Sequence, residues 1–315
     1  MMDAQRGAVA APAAVGAPLA LRSRWGLVSR EARGYWLFAL PALLTVAVFV
    51  VVPLAYAFAL SLRDFSLLRL TDRFVGFANY ARILGDHGFA RALLHTALYV
   101  GAVVGADFVY GFTVALVLYE LSPPWARVFR GVFMLPILLI PVAAAGLWRY
   151  VMFAPPSAVF NRLLGLPSTV DVLASGTTAL WAVILAAIWG WSPFVLLLLL
   201  GGLEGLPREP LEAAELDGVT YLQKVWYIIL PMMRPIVFVT LSYKAMDSFL
   251  SFTYPWVMTE GGPAGASHLL STYIYEQSFK FLDYGYGSAM ALVMMAVAFA
   301  SAIGAVAYAK RRGYA

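Results

Sequence analysis

Long apolar runs recur along the chain, separated by short polar connections. Six of them are long enough to cross a bilayer, which takes about 20 residues each. They cover roughly residues 35–61, 93–119, 131–152, 178–201, 229–251 and 287–309. Inside lipid every backbone polar group needs a partner within the protein, so runs of this length predict helices. Pro41, Pro53, Pro136, Pro141 and Pro193 fall in or beside them, and membrane helices tolerate such kinks. The expected fold is an all-α integral membrane protein with six transmembrane helices over residues 35–310. No tandem repeat is apparent, nor are inverted repeats with broken helices. The connections are a few dozen residues at most, too short for a soluble domain with its own core.

Composition agrees with a bilayer as solvent. Of 315 residues, 62% are hydrophobic and 12% charged, where a soluble domain carries about 25% charged. The absence of Cys excludes a disulfide framework, a thiolate zinc site and a Cys nucleophile. The net charge of +5 does not point to nucleic acid, because the basic residues are scattered through short loops. Basic residues beside spans set orientation instead. With the N-terminus inside, 13 basic residues fall on the inner side and 8 on the outer. Both termini and residues 202–228 are then cytoplasmic, and residues 62–92, 153–177 and 252–286 lie outside. Residues 1–34, rich in Ala, Pro, Gly and Arg, read as a disordered cytoplasmic tail. Pro12 and Pro18 interrupt the apolar stretch that a cleaved leader would need.

Residues 207–228 are too polar to insert. Pro207 and Pro210 suit the first turn of a helix. Glu209, Glu212 and Glu215 sit near the end where the helix dipole favours acids. Ala213 and Ala214 let a partner surface come close. Asp217-Gly218 breaks the helix, since Gly enters the left-handed region freely and Asp bonds locally. Tyr221, Val225 and Ile228 then resume a helical period, and Pro231 marks re-entry. Two short helices with a bend, held between spans, form a lever that a soluble partner can grip. An amphipathic linker lying on the headgroups fits the same residues.

Glu-Ala-Ala at 212–214, Asp217-Gly218, and Ile-Leu-Pro ending at Pro231, thirteen residues after Gly218, together resemble the EAA loop of ABC importer permeases. The resemblance implies that Glu212, Ala213, Ala214, Asp217, Gly218, Val219 and Tyr221 dock into a groove on a cytoplasmic ATPase. Val219 stands where that family usually has Ala. FVGFANYARIL (74–84), MTEGGPAGASHLLSTYIYEQSF (258–279) and GYGSAMALVM (285–294) are similar to stretches of the carbohydrate-type permeases, although Phe252-Thr253 replaces their usual Phe-Asp. Residues 35–310 are thus identified as a type I ABC importer permease subunit, in the inner membrane of a bacterium or archaeon. Implied partners are a second homologous permease, a dimeric ABC ATPase and an extracytoplasmic sugar-binding protein. Gly261, Gly262, Pro263 and Asn79 are candidate contacts to the last.

No covalent chemistry is expected. The chain has no GxxxxGK[ST] loop and no Gly-Lys pair, so ATP is bound by another subunit. His87, His95 and His268 are scattered and read as local hydrogen-bonding residues; no metal and no cofactor is expected. Intramembrane charges are functional candidates by default. Here they are Asp107, Lys244 and Asp247. Lys244 and Asp247 share a helix face and can pair, either lining a sugar pathway or merely orienting the helix. Asp107 reads as a packing or inter-helix hydrogen-bonding residue as readily as a pathway residue. Gly101 and Gly105 form a small-xxx-small face suited to close helix contact. Sugars need aromatic plates beside polar groups. Trp148, Trp189, Trp191, Tyr243, Phe249 and Phe252 supply candidates, although Trp and Tyr also anchor membrane interfaces. The alternatives are the same machine carrying a polyol or glycerol phosphate, and a proton-coupled secondary transporter using the three charges.

Overall fold

In the computed structural model, residues 30–313 are described except 156, 157, 166 and 168 and the side chains of 30–37. The expected tail over 1–34 lies outside the described residues as far as position 29; from Arg30 the backbone is already helical. The chain divides into two compact units between Pro53 and Leu54. In the first, helix α1 (Arg30–Val46) passes into a wider π-helical turn over Ala47–Val51. Pro53 has no N–H for the carbonyl of Phe49, and the looser turn is the local adjustment. Helix α2 (Val52–Ser61) follows, and Phe38–Ser61 has the length and hydropathy of a membrane span.

The second unit begins within α2 and then shows a feature absent from an all-helical expectation. Strands β1 (Arg63–Ser66) and β2 (Thr71–Phe74) pair antiparallel, with Asp64 opposite Arg73. The Arg73 guanidinium bonds Asp64 at 3.4 Å, and Arg63 reaches Asp72 on the diagonal at 3.3 Å. These cross-strand charge pairs hold an otherwise polar hairpin together. Short helix α3 (Ala78–Leu84) leads into the 34-residue helix α4 (His87–Glu120). Then come α5 (Pro123–Met134), a 3-10 turn over Leu135–Leu138, α6 (Pro141–Leu147), a π turn over Trp148–Phe153, and α7 (Val159–Leu163). Helix α8 (Ala179–Glu204) is the centre of the unit: 61% of its most apolar window is buried, against 22% for α4.

After α8 come α9 (Glu209–Leu216), α10 (Tyr221–Lys224), a π turn over Val225–Ile229, α11 (Leu230–Met232) and α12 (Arg234–Phe249). Helices α13 (Thr253–Thr259) and α14 (Leu270–Tyr275), then a π turn over Glu276–Lys280, lead to the last helix, α15 (Tyr284–Arg312).

Among the described residues, four helices are long and apolar enough to cross a membrane, and six if each of two bent pairs counts as one span. Those pairs are bent far more sharply than the tolerated kinks expected of the prolines. Pro123–Leu138 meets Pro141–Phe153 at 94°, and Tyr221–Met232 meets Arg234–Phe249 at 73°. At the first break Leu139 and Ile140 are extended, the conformation that a following proline imposes on Ile140. At the second, Pro235 starts α12 where a missing N–H costs nothing.

Helices α4 and α8 pack along their length. Gly101 and Gly105 do not make this seam, as a Cβ on either would meet nothing within 4 Å. Gly111 does: a Cβ there would stand 3.1 Å from the Leu196 backbone nitrogen. Without hydrophobic drive between helices in lipid, such close approach supplies the packing energy.

Candidate functional site

The connection after α8 is bent as its residues dictate. Helix α9 ends at Leu216 with Asp217 as its C-cap, and Gly218 takes φ +72°, open to glycine and strained for most other residues. Thr220 and Gln223 then form a capping box, with the Thr220 N–H donating to Gln223 Oε1 at 2.8 Å. Lys224 Nζ donates to Glu215 at 2.8 Å and stands 3.9 Å from Glu120, pinning both short helices to the end of α4. Leu211, Val225 and Ile229 anchor the bend in the α4–α8 core. Ala214, expected at a partner surface, is turned into the protein and buried, because it lies one turn from Leu211 on the anchored face. Glu212, Ala213, Asp217, Gly218, Val219 and Tyr221 remain exposed. With Leu216 at 90% and Leu222 at 67% exposure beside them, they form an apolar patch with an acidic border, of the kind that marks a protein contact.

The three intramembrane charges come together. Lys244 Nζ on α12 lies 3.5 Å from Asp107 Oδ2 on α4 and 3.4 Å from Asp247 Oδ2 one turn along. The Trp191 ring of α8 completes the surroundings, its centroid 5.1 Å from the ammonium. Lys244 and Asp107 are fully buried, and Asp247 keeps a third of its side chain open. Thr240, Lys244 and Ser248 follow at intervals of four, making a buried polar stripe on α12. The Thr240 and Ser248 hydroxyls and both Asp107 oxygens have no hydrogen-bond partner among the described residues. The stripe therefore keeps hydrogen-bonding capacity in reserve next to a partly open carboxylate.

Other aromatic candidates have structural places. Trp189 packs edge-on against Trp148 in the core. Phe252 stacks on Trp256 at 5.6 Å, and Tyr243 leans on Phe194. Phe249 lines an apolar groove of about 740 Å³ between α12 and α15, whose lining does not include the three charges.

Gly261 and Gly262 border a cavity of about 510 Å³ with Arg91, His268 and Glu276, and Pro263 sits at a neighbouring one. His268 Nε2 meets Glu276 at 3.0 Å and its Nδ1 meets Thr272 Oγ1 at 3.2 Å. Burial lowers the His268 pKa, and the Glu276 carboxylate only partly offsets it. Asn79 is not at a docking surface: it is buried, and its amide donates to the carbonyls of Ser61 and Arg63 at 2.8 and 2.9 Å.

One clasp escaped the sequence reading. Asp86 caps α4 by accepting from the Gly88 and Phe89 N–H groups, and also accepts from the Tyr273 and Tyr286 hydroxyls. Burial pushes its carboxyl up, but these hydrogen bonds prevail and hold it below its ordinary value. Asp283 likewise gathers Arg69 and Arg82 at 3.1 and 2.9 Å. An Asp immediately before a long apolar helix was the available signal. Among the described residues, no group of three or more His, Cys, Asp or Glu could hold a metal ion.

Residues 99–313 match the family described as binding-protein-dependent transport system inner membrane component. The chain belongs to this family of ABC transporter permeases. The permease is 31% identical over 267 residues, 84% of its length and 89% of the relative's, to the trehalose/maltose transport system permease protein MalF of Thermococcus litoralis. It is 31% identical over 261 residues, 82% of its length and 84% of the relative's, to the sulfoquinovosyl glycerol transport system permease protein SmoG of Agrobacterium fabrum. Among solved structures, it resembles a chain of a bacterial alginate ABC transporter in complex with an alginate pentasaccharide-bound periplasmic protein. The TM-score is 0.76 at 22% identity, over 89% of this chain and 95% of that one. That likeness concerns the fold. The permease is thus a multi-pass membrane protein of the type I importer architecture, and a transport subunit.

Proposed function

We propose that this permease forms half of the translocation pathway of an ATP-driven importer for a sugar or sugar-like solute. It pairs with a second, homologous permease. Both termini and residues 207–228 face the cytoplasm, where a dimeric ATPase grips the bend after α9. The Gly261–Pro263 loop faces outward and meets a sugar-loaded binding protein. ATP-driven closure of the ATPase pushes the bend and shifts the spans between inward-open and outward-open states. Such a shift needs ligands that bind the two states unequally. Asp247, Lys244 and Trp191 offer the solute hydroxyl partners and an aromatic face.

The observation that carries this is the exposed, glycine-hinged bend, rooted in the α4–α8 core by Leu211, Val225 and Ile229. A linker merely lying on lipid would have no need of such roots. Two relatives whose names concern glycosidic solutes point to sugar. No Arg among the described residues is buried, which disfavours a phosphate-bearing cargo. The test is Glu212→Lys in the reconstituted complex. Insertion and assembly should persist while sugar uptake uncouples from ATP hydrolysis. Full uptake by this variant would remove the bend from the coupling path.

A further inference from the structure

Helices α4 and α8 end at Glu120 and Glu204, and α5 starts across these ends at Pro123. Between them lies a cavity of about 500 Å³. Leu118 and Leu206 contribute to an apolar floor, while Arg127, Arg130 and Arg208 stand at the rim with Glu204. Three guanidinium groups thus face one carboxylate. Arg130 is bridged to Glu204, yet its Nε is buried without a hydrogen-bond partner among the described residues. Arg127 and Arg208 are exposed and make no ion pair among the described residues. On its other face α5 exposes Trp125 and Phe129. An amphipathic helix with an aromatic edge, lying where two spanning helices stop, belongs at the level of the lipid headgroups.

We propose that this cavity binds the phosphate of an anionic phospholipid, with the headgroup held between Arg127 and Arg208 and an acyl chain along the apolar floor. A charged rim over an apolar floor suits a molecule with both characters. Unpaired guanidinium groups beside the headgroup layer match a phosphodiester in charge and in fork geometry. The site does not depend on the cargo, and it borders the proposed coupling segment at Arg208, the residue before α9.

The test is native mass spectrometry of the full chain with its copurifying subunits, released from nanodiscs of equal phosphatidylglycerol and phosphatidylcholine. The expected result is selective retention of phosphatidylglycerol. Arg127→Gln with Arg208→Gln should reduce it roughly thirtyfold, whereas the paired Lys replacements, which keep the charge but not the fork, should fall in between. If the double Gln variant does not assemble, Arg208→Gln alone should show a smaller loss of roughly fivefold. Equal retention by the Gln variants, or no preference in the wild type, would overturn the site. Displacement by equimolar inorganic phosphate would assign it to a soluble anion instead, and loss of the lipid whenever the ATPase is bound would assign the rim to a protein carboxylate. Either of these also overturns the proposal.

Discussion

Lys244 is the only buried Lys or Arg among the described residues, and two carboxylates share its charge. Removing it strands them: Lys244→Met should cost on the order of 3 kcal/mol in thermal unfolding of the purified permease. Adding Asp107→Leu should recover much of that loss, because a packed apolar pair replaces a broken ionic one. If the cluster lines the solute path, transport stays impaired in the recovered double variant; restored transport would make the triad a purely structural lock. Asp86 gives a second prediction. A carboxyl held below its unfolded value, about 3.9, contributes stability that is complete above that value and is lost as pH falls through the folded one. The melting temperature should therefore fall more steeply in the wild type than in Asp86→Asn as pH drops below about 4. The Lys244–Asp247 pair was legible because helical spacing alone puts the two on one face. Asp107 was legible as an inter-helix residue but its partner was not, since that depends on how α4 meets α12, which no local pattern encodes. Asn79 misled for a related reason, because a polar residue in a loop says nothing about which backbone carbonyls lie within its reach.

Between Leu216 and Tyr221 the element is defined by one torsion. Gly218 at φ +72° sets the angle between α9 and α10. Asn enters this region more readily than other residues and Pro cannot, its φ being fixed near −65°. Gly218→Asn should keep most ATP-coupled uptake and Gly218→Pro should abolish it, with both variants reaching the membrane in normal amounts on immunoblots. Both short helices and their hinge could be read from the sequence, because Asp-Gly and the prolines are strong local signals. The bends at Leu139–Ile140 and Met233 could not. A proline in an apolar run marks a kink or a full break alike, and the choice is made by neighbouring helices that repair the freed carbonyls. The hairpin was missed because its stability comes from cross-strand charge pairs, whereas strand signals rest on alternating apolar residues.

For the whole molecule, the proposed coupling to a separate ATPase makes a strong demand. Proteoliposomes holding the permease and its homologous partner without that subunit should take up no labelled sugar against a gradient, with or without an imposed proton gradient. Accumulation driven by protons alone would favour the buried charges as a proton relay. The six apolar runs announced a membrane fold at this scale, since the bilayer constrains length and backbone pairing so tightly; which loops are tied to which helices was left open. The most consequential tie is at Asp283, where arginines from the hairpin and from α3 grip the residue just before α15. The loop after α2 and the head of α15 are therefore obliged to travel together. A fluorophore attached to the hairpin tip at Leu68 would follow every tilt of that last helix through the working cycle while leaving the helix itself unlabelled.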